Sequence, residues 1–272
     1  MSSNFARAHL CQVASRRIRI AAAFAACGAL ATPGVASAST LASTTALRGC
    51  TYAAAPPESG LNAGLCAPLQ QLAPGLGVTM LCWKDDYGRR WFLVKTATGF
   101  EGYVEGSAVA NQVMVNHCAQ AGTVTRKVLA ADWAFLTVGQ RYGGADISTF
   151  YPAASWRPGP VGEFSGDCIK LAHYAWFRGT GVSSYLGNAI DVWAFYASRG
   201  LVGPASQPPP YGSMIFYGTA VDPRGHVGIA VGGTRIVNTK GVDGQALPVA
   251  WQDYREIPGY LGWVPIENLR AG

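Results

Sequence analysis

The sequence is poor in charge, in histidine and in long apolar runs, and each shortage excludes a class of protein. Charged residues make up 13% of the 272 residues, and only four are histidine. Neither C-x-x-C nor H-x-x-x-H occurs, so the close ligand spacing of zinc sites is absent and we expect neither a metal nor a cofactor. The apolar run Ile20–Leu30 is about eleven residues long, whereas a helix needs roughly twenty to span a bilayer. We therefore expect no stable membrane insertion.

The N-terminal segment has the pattern of a secretory signal peptide. Ala36-Ser37-Ala38 supplies the small residues of a cleavage site, and three arginines precede the apolar run: Arg16, Arg17 and Arg19. Removal of residues 1–38 leaves 234 residues with 17 basic and 15 acidic groups, so the net charge falls from +6 to +2. Without a basic patch, nucleic acid binding is not expected. Phe24-Ala25-Ala26-Cys27 is a poor lipidation site and leaves a lipid anchor as an alternative.

Cysteine usage divides the predicted exported chain. Four cysteines lie between residues 50 and 118, and the remaining 154 residues contain only Cys168. Four cysteines in a small exported domain indicate two disulfides, with three connectivities possible. Proximity favours Cys50 with Cys66 and Cys82 with Cys118. Each bridge would stabilise the domain by roughly 3 to 4 kcal/mol through loop closure.

Residues 49–118 are predicted to form a small all-β domain. Strand-like runs at 78–83, 90–95 and 102–104 are separated by turn-rich segments. A Trp-bearing strand and a closing Gly-aromatic-Val step resemble the bacterial Src-homology-3-like wall-binding barrel. Four aromatic side chains in this domain have two possible roles, packing in the core or lining an aromatic binding groove: Trp83, Tyr87, Trp91 and Tyr103. Residues 39–48, rich in Ser, Thr and Ala, and residues 119–124 are predicted linkers.

Residues 125–272 are predicted to form an α+β domain, because helices precede strands along the chain. Helical spacing predicts one helix from Thr125, a second from Cys168 to Arg178 and a third over residues 188–198. Three strand-like runs follow at 214–217, 227–231 and 234–238. Gly232-Gly233 is predicted to be a two-residue hairpin turn between the last two runs.

Cys168, His226 and Asn238 form a candidate catalytic set. A thiol attacks as the thiolate, and both a helix N-terminus and a nearby imidazolium favour ionisation; Cys168 begins a predicted helix. His226 can act as general base and acid, and it needs an acceptor that fixes its tautomer. The predicted hairpin places Asn238 roughly opposite His226 on one face. His173 is the competing histidine, but it lies about 140° around the helix from Cys168 and is interpreted as a packing residue.

These residues resemble the NlpC-type family of papain-like cell-wall cysteine peptidases. The matching motifs are Gly139 with Tyr142, Gly143-Gly144, Asp167-Cys168, Gly212 to Tyr217 and Gly225 to Ile229. The resemblance implies a papain-like fold, with helices packed on an antiparallel sheet. It also implies peptidoglycan stem peptides as substrate and a cell-wall location. The resemblance implies that Cys168 is the nucleophile and His226 the base. It also implies that Asn238 is the third polar residue of the set and that Tyr142 donates to the oxyanion.

The chain departs from the family pattern around the nucleophile. Ile169-Lys170 follow Cys168 where the family usually has Ser-Gly. The segment formed by residues 145–166 is also longer than the corresponding segment usual in the family. Candidate substrate-binding residues in this region are Tyr151, Trp156 and Asp167. The leading hypothesis is a secreted peptidoglycan hydrolase of the D-glutamyl endopeptidase type. An N-acetylmuramoyl-L-alanine amidase and a non-catalytic wall-binding or effector protein on the same fold are the alternatives.

Overall fold

The described part of the chain comprises residues 39–51, 66, 68–136, 168–181, 187–220, 222–239 and 249–268 of a computed structural model. These residues belong to one compact unit, Ala36–Gly272. The predicted signal peptide, residues 1–38, lies outside them and stays a prediction. None of the described helices combines the length and apolarity needed to cross a membrane.

Seven antiparallel strands form a first sheet with the order β3-β2-β6-β5-β4-β1-β7. Their bounds are β1 Ser39–Leu41, β2 Thr45–Arg48, β3 Pro68–Leu72, β4 Gly77–Asp86, β5 Arg89–Thr96, β6 Glu101–Glu105 and β7 Val109–Ala110. The β4–β5 hairpin closes through Tyr87 and Gly88, whose φ angles are 48° and 73°. Positive φ at both turn residues is the conformation that matches the twist of paired strands.

Residues 39–48 were predicted as a linker, and this prediction is wrong because residues 39–41 form β1 and residues 45–48 form β2. Strand β1 pairs with β4 and β7, and β2 pairs with β3 and β6. The predicted small barrel is not confirmed: within the described residues the strand order ends at β3 and β7, and no pairing joins these two edges. Trp91 and Tyr103 are buried, with 2% and 0% exposure, so they belong to the core and not to a surface groove.

The predicted disulfide pairing is confirmed. Cys50 is bonded to Cys66 and Cys82 to Cys118. All four half-cystines are buried in the same apolar cluster. Cys118 begins a short 3-10 helix, Cys118–Gln120, directly before the first α-helix. The second predicted linker, residues 119–124, therefore coincides with this 3-10 helix and the start of α1.

The second part of the chain confirms the α+β prediction. Three helices are α1 Thr123–Leu136, α2 Cys168–Thr180 and α3 Ala189–Ala197. The strands are β8 Gly203–Pro204, β9 Met214–Tyr217, β10 His226–Ala230, β11 Arg235–Thr239, β12 Val249–Asp253 and β13 Tyr260–Val264. They form an antiparallel sheet with the order β12-β11-β10-β9-β13-β8. Helix α2 packs against β10 and β11, so it lies beside the β10–β11 hairpin.

The first sheet holds the loop of the β10–β11 hairpin in place. The backbone N–H of Gly233 donates to the Glu101 carbonyl at 3.0 Å, and this bond joins β6 to the hairpin loop. Gly49 lies against the same loop, since a Cβ at that position would lie 2.4 Å from the Val231 carbonyl oxygen. The Tyr211 hydroxyl donates to the Gly49 carbonyl at 2.7 Å. These contacts fix the loop between β10 and β11 against the first sheet.

A buried carboxylate supports this interface. Glu101 is 3% exposed, and its Oε2 accepts the backbone N–H of Tyr211 at 2.9 Å. The ammonium of Lys127 on α1 lies 3.8 Å from Glu101 Oε1 and 3.2 Å from Glu267. A buried charge is tolerated where it is paired and hydrogen-bonded. Glu101 therefore links β6, α1 and the segment before β9 in one contact.

Candidate active site

The β10–β11 hairpin brings His226 and Asn238 to the same face. Ile229 faces Val237 and Ala230 faces Ile236, and the N–H of Val231 donates to the Arg235 carbonyl at 2.9 Å. The loop thus contains three residues, 232–234, one more than the predicted two-residue turn. With three loop residues, the residue numbers of two paired positions differ by an even number, and paired residues point to the same face of the sheet. His226 and Asn238 are twelve residues apart, so their side chains share a face.

Gly228 leaves the space through which these two side chains meet. Continuing the register by one pair places Gly228 opposite Asn238, so His226 lies diagonally across from Asn238. A Cβ at Gly228 would lie 3.1 Å from the Asn238 Cβ and 2.9 Å from Ile236 Cδ1. Across this gap, His226 Nε2 lies 3.3 Å from Asn238 Oδ1. The glycine therefore allows the diagonal contact that a side chain would crowd.

The contact between His226 and Asn238 favours one histidine tautomer. An amide oxygen only accepts hydrogen bonds, so this contact is a hydrogen bond when Nε2 of His226 carries the proton. Neutral imidazole carries one proton, which leaves Nδ1 able to accept another. His226 is therefore oriented as a base whose accepting nitrogen points away from Asn238.

Burial keeps His226 in its neutral form. The side chain is 7% exposed, and this burial lowers the pKa of His226 below its usual value. The Asn238 hydrogen bond and the charge of Asp222 oppose the shift without reversing it. Arg224 donates to the Asp222 carboxylate and lowers its pKa, so Asp222 is ionised. A neutral imidazole with an ionised carboxylate in its field is suited to take a proton and hold it briefly.

The lowered histidine pKa values predict a loss of stability in weak acid. Burial lowers the pKa of both His226 and His173 from 6.5, so the unfolded state binds protons more readily than the folded state. The free energy of unfolding should decrease as pH falls below about 6.5, by about 1.4 kcal/mol per pH unit for each histidine until its folded-state pKa is reached. Urea unfolding between pH 7.5 and 5.5 measures this slope.

A His226→Gln variant is the matched control for this slope. Glutamine keeps a hydrogen-bonding group near Asn238 and removes one of the two titrating histidines. The decrease in unfolding free energy over the same pH range should become smaller. An unchanged slope would show that His226 is not the group that binds the proton on unfolding.

Cys168 is the first residue of α2 and is buried, with 9% exposure. Because α2 packs against β10 and β11, the helix that begins with this thiol lies beside the two strands that carry His226 and Asn238. His173, later on the same helix, is 1% exposed, as expected of a packing residue. The other predicted site residues lie outside the described part of the chain and remain predictions: Tyr142, Tyr151, Trp156 and Asp167.

Sequence reasoning missed Gln252. Asn238 Nδ2 donates to Gln252 Oε1 at 3.3 Å, so the amide of Asn238 contacts a histidine on one side and a glutamine on the other. Gln252 lies on β12, and only the pairing of β12 with β11 brings it to the site. A single glutamine in a short strand gives no local signal of such a role. Within the described ranges, no group of three or more His, Cys, Asp or Glu could hold a metal ion.

The sequence matches no family model and no curated protein. Solved structures of the NlpC/P60 type are similar to this chain. One is NlpC1 from Trichomonas vaginalis, with 16% identity, a TM-score of 0.35, and coverage of 84% of this chain and 67% of that one. Another is the P60 domain of an antigen from M. avium subspecies paratuberculosis, with 22% identity, a TM-score of 0.36, and coverage of 53% of this chain and 96% of that one. These TM-scores are low, so the functional proposal rests on the contacts described above.

Proposed function

We propose that the protein is a secreted peptidoglycan hydrolase that cleaves a stem-peptide amide bond through a cysteine thioester. The observation that carries this proposal is the buried contact between His226 and Asn238, which leaves His226 Nδ1 as a proton acceptor. Cys168 begins the helix that packs against the strands bearing these two residues. Two disulfides support an oxidising compartment outside the cytosol.

In the proposed reaction, His226 Nδ1 takes the thiol proton and the Cys168 thiolate attacks the carbonyl carbon of the amide. The tetrahedral intermediate breaks its C–N bond, and the imidazolium gives its proton to the leaving amine. Water, deprotonated by the same imidazole, then hydrolyses the thioester and restores the thiol. Asn238 holds the imidazole in position during both steps. The backbone N–H of Cys168 and the hydroxyl of Tyr142 are the proposed donors to the oxyanion.

The proposed bond is the amide that follows D-glutamate in the stem peptide, as in D-glutamyl endopeptidases. The same catalytic set would also serve an N-acetylmuramoyl-L-alanine amidase, because both enzymes form an acyl-thioester from an amide. Trp156, Tyr151 and Asp167 are the proposed substrate contacts. The first sheet is the proposed wall-binding part.

Mass spectrometry of fragments released from purified peptidoglycan tests this proposal. The chain without residues 1–38 is incubated with the wall beside its Cys168→Ala variant. New peptide termini should appear only with the intact thiol, and their position identifies the bond that is cut. Release of free stem peptides beginning with L-alanine would assign the amidase alternative.

The opposite result would favour a binding protein. No fragments from several wall types, together with pelleting of both the parent and Cys168→Ala with the wall, would contradict a hydrolase. Circular dichroism of both proteins ensures that a missing product does not reflect unfolding.

A further inference from the structure

Gln252 lies on the same face of the second sheet as the His226–Asn238 pair. Asn238 faces Ala250 across the β11–β12 pairing, and Gln252 lies two residues further along β12. Residues two apart in a strand point to the same side. The resulting hydrogen-bonded series runs from His226 Nε2 to Asn238 Oδ1 at 3.3 Å and from Asn238 Nδ2 to Gln252 Oε1 at 3.3 Å.

The orientation of the Asn238 amide decides which nitrogen of His226 can act as a base. With Oδ1 towards His226, Nε2 carries the proton and Nδ1 accepts one. If the amide turned over, its NH₂ group would face Nε2, which would then have to accept, and Nδ1 would carry the proton. A histidine in that second state cannot take a thiol proton through Nδ1. The acceptor that meets Nδ2 on the other side of Asn238 therefore matters for the chemistry.

We propose that Gln252 is a positioning residue that fixes the tautomer of His226 through the amide of Asn238. Its Oε1 accepts from Asn238 Nδ2 and so favours the orientation in which Oδ1 faces His226. A hydrogen bond of this kind shifts an equilibrium by about two- to tenfold. The effect of Gln252 on the reaction rate rests on the proposed function, but its effect on the tautomer does not.

Two substitutions at one position separate positioning from packing. Gln252→Glu places an acceptor-only carboxylate where the amide oxygen stands, so the orientation of Asn238 should be retained. Gln252→Leu fills the same space and accepts no hydrogen bond, so the two orientations of Asn238 should become closer in population. The matched control is Trp251→Leu, because Trp251 precedes Gln252 on β12, points to the other face and is 37% exposed.

The ring nitrogen signals of ¹⁵N-labelled histidine report the tautomer without any substrate. His226 is assigned by the signals that disappear in His226→Gln, and spectra are recorded above pH 7, where the ring is neutral. The parent protein, Gln252→Glu and Trp251→Leu should each show protonated Nε2. Gln252→Leu should show a mixture in which the share of protonated Nδ1 rises by about two- to tenfold.

Protonation of Nε2 alone in a folded Gln252→Leu protein would overturn the proposal, as would an equal change in Trp251→Leu. If Gln252→Leu does not fold, loss of the protonated Nε2 state in the folded Gln252→Glu protein would overturn it instead. Wall hydrolysis supplies a second readout: kcat should fall in Gln252→Leu in proportion to the lost share of protonated Nε2, by about twofold where that share falls to half, with KM unchanged, and Gln252→Glu should retain the parent kcat. Absence of hydrolysis in the parent protein would contradict the proposed function and leave the spectra to decide the role of Gln252.

Discussion

Replacing His226 with alanine should lower the rate of peptidoglycan hydrolysis by about a hundred- to ten-thousandfold. The alanine protein lacks the imidazole that takes the thiol proton and returns it to the leaving amine. Asn238 would then have no ring to orient, since its Oδ1 contacts His226 Nε2 at 3.3 Å. The rate of soluble fragment release at saturating wall concentration measures the loss. Asn238→Ala should lose less, because the imidazole remains and only its orientation is relaxed.

His173 provides the competing assignment and therefore the control. It is buried on α2, the same helix that Cys168 begins, and it is the other histidine within the second part of the chain. A His173→Gln variant that keeps the parent circular dichroism spectrum should retain hydrolysis. Loss of hydrolysis in that variant, with activity retained in His226→Ala, would assign the base to His173. The contact between His226 and Asn238 would then be structural.

Much of the fold could be predicted because local patterns are strong there. Cysteine spacing predicted both disulfides, and alternation predicted β9, β10 and β11 to within one residue at each end. Residues 39–48 were misassigned for a physical reason. Strand β1 is three residues long and pairs with β4 and β7, which lie far along the chain. Such a strand is stabilised by distant partners, so its own sequence has no periodicity to detect.

The candidate site was predictable in its residues and less so in its geometry. His226 and Asn238 were predicted to share a face, and they do, but the predicted two-residue turn would have placed them on opposite faces. Gly232 and Gly233 both have positive φ, at 102° and 53°, and Thr234 extends the loop to three residues. Two adjacent glycines indicate a turn, but they do not determine whether the loop contains two residues or three. That number depends on the backbone geometry of the whole loop.

Removing the Cys82–Cys118 disulfide should lower the stability of the whole compact unit. The bond joins residues 36 apart, so loop closure predicts a loss of about 4 kcal/mol in the double variant Cys82→Ala/Cys118→Ala. For a chain of this size, that loss lowers the melting temperature by roughly 8 to 16 °C. The Cys50–Cys66 bond spans 16 residues, and its removal should cost less, about 3 kcal/mol. Scanning calorimetry of both double variants without reductant measures the difference.

For wall hydrolysis measured below the melting temperature, the order of the two disulfides should be reversed. Removing Cys50–Cys66 should then have the larger effect, although it costs less stability. Cys50 follows Gly49, whose backbone lies against Val231, the residue directly before the β10–β11 hairpin loop. Loosening this segment frees the loop that sets the register of His226 and Asn238, so Cys50→Ala/Cys66→Ala should lose more activity for each kcal/mol of stability lost. Equal loss in both double variants would mean that the first sheet supports the hairpin only through global stability. A larger loss for the Cys50–Cys66 pair would make the first sheet part of the catalytic geometry.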